Sequence, residues 1–247
     1  MAPMDRQQRE TERLVARRIL VTGASSGIGR QLVRSYVQAG ATVWGVGRRK
    51  TALAETIRGL APNRAIPLLA DLTTRAGLEA VTAGIPPPLH VVVHAAGILG
   101  PRLPLAEYPP VAWDEVLAAN LTSIHRLHQA LLDRMEAAAT IIGVSSSVGR
   151  KGRGGWGAYA VSKGGLEAWL DVLADEWSGR VYSVNPGATA TPMRTAAMPS
   201  EDPAELPTPL AILPIFLRLA HQAAPESSGT KFQARDWIGQ DPWKGLD

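Results

Sequence analysis

The stretch "ILVTGASSGIGRQLV" (residues 19–33) runs from an apolar segment through a glycine-rich turn into a helical pattern. This order predicts a buried strand, a tight turn and a helix. Gly23 would permit the sharp exit from the strand, Gly27 would let the backbone approach a pyrophosphate, and Gly29 would let the helix pack closely on the strand. The free N–H groups at the helix start also favour a bound phosphate. We therefore predict that the turn binds a dinucleotide through Gly23, Ser25, Ser26, Gly27, Ile28 and Gly29. A glycine-rich turn without a ligand is the alternative.

The rest of the chain alternates short β-branched runs with longer helical stretches. Most of the runs are continuously apolar, as expected for strands that helices cover on both faces. The predicted strands are 18–22, 42–46, 65–70, 89–94, 140–145, 181–184 and 230–233. The predicted helices are 28–38, 51–60, 74–83, 111–138, 157–177 and 209–222. This alternation predicts an α/β fold of the Rossmann type, a doubly wound parallel sheet of about seven strands with helices on both faces.

Length and composition indicate one domain. The chain has 247 residues, and neither a composition break nor a fixed repeat divides it. We predict a polar lead-in at 1–17 and a single domain at 18–247. There are no cysteines, which excludes disulfides and thiolate metal sites. No apolar run approaches the roughly 18–20 residues of a membrane span, and the N-terminus has no signal-peptide core, so we expect a cytoplasmic protein.

The net charge of +4 does not by itself indicate a nucleic-acid partner, since the basic residues are scattered among 22 acidic ones. Tight basic groups occur at 48–50 and 150–153, and neither accompanies a nucleic-acid-binding motif. We interpret the second group as a solvated loop. The first follows the second strand, where NAD-binding proteins usually carry a carboxylate for the ribose 2′-hydroxyl. Here Gly47 occupies that position and Arg48 follows it, which favours NADP(H) because a guanidinium can clamp a 2′-phosphate.

Five further motifs follow in order: "HAAG" (94–97), "NLTS" (120–123), "SSSVG" (145–149), "YAVSK" (159–163) and "NPGATATPM" (185–193). Together with the glycine turn, this series resembles the single-domain branch of the short-chain dehydrogenase/reductase family over about residues 18–235. The stretch 145–163 is most similar to the YciK-type bacterial oxidoreductases of that family. The resemblance implies an NADP(H)-dependent oxidoreductase that acts on a small carbonyl or alcohol substrate and forms a homo-dimer or homo-tetramer.

The resemblance also implies roles for particular residues. Tyr159 would be the general acid, Lys163 would hold the nicotinamide ribose and lower the pKa of the tyrosine, and Ser146 would hydrogen-bond the substrate oxygen. Asn120 would hold a water that connects Lys163 to solvent. Additional coenzyme contacts would come from Asp71 (at the adenine), Leu72, Ala96, Gly97, Pro186, Gly187, Thr189 and Thr191.

Elementary chemistry supports the central pair independently. Residues four apart on a helix share a face, so Tyr159 and Lys163 would lie together. A neighbouring ammonium stabilises a phenolate, which brings a tyrosine closer to the pKa that proton transfer needs. Structural alternatives exist for the other residues: Ser146 as a turn cap, Asn120 as a helix-interior residue bonded to backbone, and Asp71 as a helix cap.

The sequence departs from the family pattern at 94–97, which usually reads Asn-Asn-Ala-Gly and here reads His-Ala-Ala-Gly. The loss of both asparagines puts the local hydrogen-bond network in doubt, and His94 could be only a packed strand-end residue. His125 and His128 lie in a helix without paired acids at ligand spacing, so we infer no metal site.

Two other functions compete with an oxidoreductase. A coenzyme-binding regulatory or scaffold protein would be expected to have lost Tyr159 or Lys163, and an epimerase or dehydratase would usually carry a longer C-terminal domain. The Pro- and Thr-rich segment 187–209 is predicted to be a substrate loop, with Met193 and Met198 as apolar contacts. Trp156 could line the same pocket or pack in the core. The substrate itself is not determined by the sequence.

Overall fold

The structure, a computed structural model, describes residues 13–246 and contains one seven-stranded sheet. All six strand pairings are parallel. The strands are β1 (Arg18–Thr22), β2 (Thr42–Gly47), β3 (Ala65–Leu69), β4 (Leu89–His94), β5 (Met135–Val144), β6 (Arg180–Asn185) and β7 (Lys231–Gln233). Residues 1–12 of the predicted lead-in at 1–17 lie outside the described residues.

The strand order is β3-β2-β1-β4-β5-β6-β7, so the winding direction reverses between β1 and β4. In open parallel sheets the carboxyl ends of the strands at such a reversal border a ligand-binding crevice. The predicted doubly wound Rossmann fold is confirmed.

Helices cover both faces of this sheet. They are α1 (Gly27–Gln38), α2 (Lys50–Ile57), α3 (Arg75–Gly84), α4 (Pro110–Leu117), α5 (Ser123–Leu131), α6 (Ser147–Arg150), α7 (Gly157–Glu176), α8 (Pro192–Ala197) and α9 (Pro214–Ala220). A π-helical turn, Ala118–Thr122, joins α4 to α5. None of the helices within residues 13–246 is long and apolar enough to cross a membrane.

The side chains of β1 show why its sequence is continuously apolar. Ile19 and Val21 pack on one face, in the cluster that contains Tyr36 of α1 and Phe216 of α9. Leu20 packs on the opposite face, in a cluster with side chains of α3 and α5. A strand between two helical layers must be apolar on both sides, as predicted.

The predicted helix 111–138 is wrong at its C-terminal end and interrupted in its middle. The last helical residue of α5 is Leu131, and β5 begins at Met135. The segment "MEAAA" (135–139) has high helix propensity, but it extends beside β4, where Leu89 pairs with Met135 and, after an irregularity, Val91 pairs with Thr140. Tertiary pairing overrides local propensity here. The final predicted helix, 209–222, is also shorter, since α9 spans only Pro214–Ala220.

Candidate active site

The glycine turn between β1 and α1 has the close packing that the sequence indicated. Gly23 has a φ of +72°, and a Cβ there would lie 2.8 Å from the backbone of Ala95 and Ala96. A Cβ at Gly29 would lie only 2.4 Å from the Gly23 carbonyl oxygen, so α1 starts directly against the end of β1. The turn therefore exposes its backbone at the carboxyl end of β1, where a phosphate can approach the start of α1.

A cleft of about 520 Å³ opens along the carboxyl ends of the strands. Every coenzyme-contact and catalytic residue predicted from the sequence lines it, with the exception of Asn120. These residues are Gly23, Ser25, Ser26, Gly27, Ile28, Gly29, Arg48, Asp71, Leu72, Ala96, Gly97, Ser146, Tyr159, Lys163, Pro186, Gly187, Thr189 and Thr191. The fold thus gathers residues from six separate strand ends into one cavity.

Thr22, the last residue of β1, fixes the floor of this cleft. Its buried hydroxyl accepts hydrogen bonds from the amides of Ala95 (3.1 Å) and Ala96 (3.0 Å) and donates to the Val93 carbonyl (3.4 Å). The hydroxyl of Thr22 alone therefore holds two backbone amides of the segment that follows β4. These contacts show how the alanine-containing motif is ordered without the asparagines of the usual pattern.

Three polar side chains meet at the middle of the cleft. Ser146 precedes α6, and its hydroxyl lies within hydrogen-bonding reach of the Tyr159 phenol. Tyr159 and Lys163 lie one turn apart on α7, with the ammonium 6.0 Å from the centroid of the tyrosine ring. Both side chains are buried, at 8% and 4% exposure. The structure thus brings the predicted serine, tyrosine and lysine together.

The pKa of Tyr159 shifts in the direction opposite to the sequence expectation. Burial raises the pKa of Tyr159 and outweighs the hydrogen bond with Ser146, so the predicted lowering by Lys163 is not observed. The ammonium of Lys163 instead donates to the Val144 carbonyl at 2.7 Å. Burial lowers the pKa of Lys163 from 10.5 to about 8, and the charge of Glu167 opposes this shift.

Asn120 lies behind the cleft wall, in the π-helical turn. Its amide nitrogen donates to the Ile98 carbonyl (2.9 Å) and to the Ser162 hydroxyl (3.0 Å), and its Oδ1 accepts from the Ile98 amide (2.8 Å). The side chain is therefore bonded within the protein, as in the structural alternative. π-Helical turns often occur at functional sites, and the water-holding role of Asn120 stays a prediction.

His94 is packed at the end of β4. It is 1% exposed, its ring meets Trp169 edge-on with centroids 5.9 Å apart, and neither ring nitrogen has a hydrogen-bond partner among the described residues. Burial, together with the charges of His128 and Lys163, lowers the pKa of His94 to about 3. His94 is thus a neutral packing residue, as the sequence analysis allowed.

Basic side chains border the far end of the cleft, beyond β2 and β3. The Arg48 guanidinium lies 3.5 Å from Asp71 Oδ2, and Arg49 donates to the Ser26 hydroxyl at 2.9 Å. Asp71 also accepts from both the amide and the hydroxyl of Thr73. Burial alone would raise the pKa of Asp71, but these hydrogen bonds and Arg48 hold it below its usual range. Arg48 therefore contacts the acidic residue, and Arg49 contacts the phosphate turn.

The predicted substrate loop 187–209 folds partly into helix, with α8 and a 3-10 turn at Pro203–Glu205. Thr191 caps α8 by accepting from the Arg194 amide at 3.1 Å. Met193 lines the cleft, whereas Met198 does not. The prediction that both methionines contribute apolar contacts is therefore corrected for Met198. Met198 instead packs its sulfur 3.7 Å from Arg102.

Arg102 contacts two residues that line the cleft, Trp156 and Ala197, and connects three segments. Its guanidinium lies 4.0 Å above the Trp156 ring, and it donates to the carbonyls of Gly155 (2.7 Å) and Ala197 (2.6 Å). Trp156, in turn, lines the cleft with its ring 5.9 Å from that of Tyr159. The pocket alternative for Trp156 is therefore favoured over core packing.

Sequence reasoning overlooked Thr22, Arg102, Arg150 and Glu167. The partners of these residues lie far away in the sequence, and nothing in the neighbouring residues indicates them. The interpretation of 150–153 as a solvated loop is wrong for Arg150, whose guanidinium bonds a buried carboxylate, and right for the exposed Lys151 and Arg153.

Comparison with known proteins agrees with this geometry. The family described as short chain dehydrogenase matches residues 17–202. The chain belongs to the short-chain dehydrogenase family. It is 40% identical, over 88% of its length and 91% of the relative's, to the uncharacterized oxidoreductase YciK of Escherichia coli K12.

Solved structures of this family superpose over most of the chain. A short chain dehydrogenase of Shigella flexneri 2a complexed with NADP has a TM-score of 0.87 and 38% identity, covering 91% of this chain and 99% of its own. A short chain dehydrogenase of Escherichia coli CFT073 complexed with NADPH has a TM-score of 0.84 and 38% identity, covering 91% and 98%. The predicted family is therefore confirmed, and the chain is an oxidoreductase of that family.

Between residues 13 and 246, no group of three or more His, Cys, Asp or Glu side chains has the arrangement of a metal site.

Proposed function

We propose that this protein is an NADP(H)-dependent oxidoreductase that interconverts a carbonyl and an alcohol, with Tyr159 as the general acid and base. The observation that carries the proposal is the convergence of Ser146, Tyr159 and Lys163 in the cleft that also contains the glycine turn and Arg48. NADP and NADPH complexes of structurally similar family members support the choice of coenzyme.

The residues present fit such a coenzyme. Side chains larger than hydrogen at Gly23 or Gly29 would collide with backbone, so glycine is needed there for the turn to pack closely. The packed turn lines the cleft at the start of α1, where a pyrophosphate can bind. Arg48 and Arg49 supply guanidinium groups for a 2′-phosphate at the adenosine end. Lys163 would hold the nicotinamide ribose, and the segment from Pro186 to Thr191 would border the nicotinamide. When bound, the coenzyme supplies or accepts the hydride.

The side chains of this chain would then handle the proton and the charge. Ser146 would donate a hydrogen bond to the substrate oxygen, and Tyr159 would protonate that oxygen as the carbonyl carbon is reduced. The resulting phenolate would be stabilised by the nearby positive charge of Lys163. In the oxidation direction, the same phenolate would take the proton from the alcohol.

The substrate end of the cleft is largely apolar. Leu99, Trp156, Met193 and Ala197 line it, and the nearby Arg194 is engaged by Glu201 through two hydrogen bonds of 2.5 and 2.7 Å. These contacts support a substrate that is small and partly apolar beyond its carbonyl group. The expected homo-oligomer stays a prediction.

The test is a panel of carbonyl compounds assayed by the loss of NADPH absorbance, followed by Tyr159→Phe on the best substrate. We expect kcat to fall about 10²- to 10⁴-fold, since a positioned proton donor contributes about that much, while the Kd for NADPH changes less than about 2-fold. Tyr108→Phe is the matched control, because the Tyr108 hydroxyl lies outside the cleft and has no hydrogen-bond partner in the described part of the chain. A Tyr159→Phe variant with most of its kcat would overturn the mechanism.

A further inference from the structure

A second buried charge lies on the helix that carries Tyr159 and Lys163. Glu167 is one turn beyond Lys163 on α7 and is only 6% exposed. Glutamate is rarely buried to this degree unless it is paired. It does not line the cleft, and the proposed reaction does not use it.

Glu167 is held from two directions. Oε1 accepts from Arg150 Nε at 3.0 Å and from the Ser183 hydroxyl of β6 at 2.6 Å. Oε2 lies 3.3 Å from the ammonium of Lys231 on β7. Burial raises the pKa of Glu167, but the neighbouring serine hydroxyls and Arg150 outweigh it and keep the pKa below its usual range, so the carboxylate stays charged at neutral pH.

Arg150 is the last residue of α6, the short helix that Ser146 precedes. Its Nη2 also donates to the Ser183 hydroxyl at 3.1 Å. Within α6, a Cβ at Gly149 would lie 2.6–2.8 Å from Lys163, so this helix packs directly on the α7 backbone at the lysine. The Arg150–Glu167 ion pair therefore links the C-terminal end of α6, the helix that follows Ser146, to α7.

We propose that Glu167 is a positioning residue of the active site: through Arg150 it fixes the segment that carries Ser146 against the helix that carries Tyr159 and Lys163. This inference rests on the proposed function, since it assigns Glu167 a role in aligning that same trio. Because catalytic geometry is sensitive to displacements of about 1 Å, a loosened α6 lowers turnover without removing any group that touches the substrate.

The pair has an electrostatic consequence for Lys163. The groups that face this ammonium are Tyr159 and Glu167 on α7, the neutral His94 of β4, the Val144 carbonyl of β5 and Asn120 of the π-helical turn. Of these, the Val144 carbonyl accepts a hydrogen bond from the ammonium, and Glu167 is the one that carries a negative charge at neutral pH. Arg150 and Lys231 moderate that charge. Neutralising Glu167 therefore lowers the pKa of Lys163 further. The ammonium then loses its proton, and the activity falls, at a lower pH.

The experiment compares Glu167→Gln, Arg150→Met and the double variant in the full chain, with Asp171→Asn as the matched control. Asp171 lies one turn further along α7, is exposed, and shares Lys231 with Glu167 without contacting Arg150. We expect Glu167→Gln and Arg150→Met each to lower kcat by about 10- to 100-fold with KM for the coenzyme nearly unchanged. The double variant should be no worse than either single one, since both break the same link.

Two readouts separate positioning from a general loss of structure. In the coenzyme-free protein, amide hydrogen exchange of Ser147–Arg150 should accelerate in both single variants and stay unchanged in Asp171→Asn. The alkaline limb of the kcat profile should move to lower pH in Glu167→Gln, and Arg150→Lys should recover part of the kcat lost in Arg150→Met. Wild-type-like exchange and pH profile in Glu167→Gln would refute the positioning role.

Tyr159→Phe run in parallel keeps the two proposals apart. If Tyr159→Phe is inactive and Glu167→Gln behaves like Asp171→Asn, only the role of Glu167 fails. If Tyr159→Phe retains its turnover, the proposed function itself fails, whatever Glu167→Gln does.

Discussion

The guanidinium of Arg48 lies 3.5 Å from the carboxylate of Asp71, across the ends of β2 and β3. Both side chains are partly exposed, so the ion pair itself adds little to stability. Its significance is positional, since the pair places a cation at the end of β2, where the proposed function puts the ribose 2′-phosphate of NADP(H).

Arg48→Ala should reduce the preference for NADPH over NADH, measured as the ratio of their Kd values, to nearly none. Removing a charge-assisted contact with a phosphate costs about 1.5–3 kcal/mol, which raises the Kd for NADPH about 10- to 100-fold. The Kd for NADH should change less than about 3-fold, because it carries no 2′-phosphate. Titration by coenzyme fluorescence measures both constants. Arg153→Ala, which removes an exposed arginine outside the cleft, should leave both unchanged; equal losses for NADH and NADPH in Arg48→Ala would contradict the assignment.

Lys163→Met should make the coenzyme-free protein more stable at pH 7. The pKa of Lys163 is lowered from 10.5 to about 8, so the folded state carries the cost of a buried ammonium below pH 8. Between about pH 8 and 10.5 the unfolded chain binds more protons than the folded one, so this cost fades as pH rises. Thermal melting should show a Tm several degrees above wild type at pH 7 and a smaller difference at pH 10, with about 2–4 °C expected per kcal/mol.

Lys231→Met provides the control of opposite sign. The hydrogen bond with Asp171 is the main cause that raises the pKa of Lys231, and Glu167 adds to it. Its stabilising contribution is therefore present at neutral pH and is lost as pH rises through the folded-state pKa. Lys231→Met should lower Tm slightly at pH 7, and two lysine variants that shift Tm in the same direction at pH 7 would contradict the argument.

Gly29→Ala should disrupt both the fold and coenzyme binding. The added Cβ would lie 2.4 Å from the Gly23 carbonyl oxygen, so α1 must move away from β1. We expect Tm to fall by several degrees and the Kd for NADPH to rise more than about 10-fold, since overpacking costs about 1–3 kcal/mol. Gly152→Ala is the matched control, because a Cβ there has no atom within 4 Å. A Gly29→Ala protein with native Tm and Kd would show that the close contact does not constrain the turn.

Arg102→Leu should loosen the two cleft-lining segments that Arg102 contacts. The change removes hydrogen bonds to Gly155 and Ala197 and the stacking on Trp156, so both connected segments lose a common partner. Hydrogen exchange should accelerate in 154–157 and in α8 but not in β1, and the KM for the substrate should rise more than that for the coenzyme. Arg126→Leu, on the exposed side of α5, should change neither quantity. If hydrogen exchange accelerates in only one of these two segments, Arg102 does not couple 154–157 to α8.

The sequence predicts the parts of this molecule that are encoded locally. The glycine turn, the buried strands and the Tyr159–Lys163 spacing each depend on residues within a few positions of one another. The strand at 135–139 was missed because its pairing with β4 outweighs the helix propensity of its alanines. The partnership of Arg150 with Glu167 was missed because it joins residues 17 positions apart, and that of Arg102 with Ala197 because it joins residues 95 apart.

The hydroxyl of Thr22 links the cleft to the pairing of the two central strands. It hydrogen-bonds the amides that follow β4, so the cleft floor exists only when the two central strands are already paired. A ligand that binds this floor recognises the native sheet and not the unfolded chain, and it stabilises the protein in proportion to the logarithm of its concentration over Kd. In a cell where such a ligand exceeds its Kd, it would therefore shift newly made chains towards the folded state.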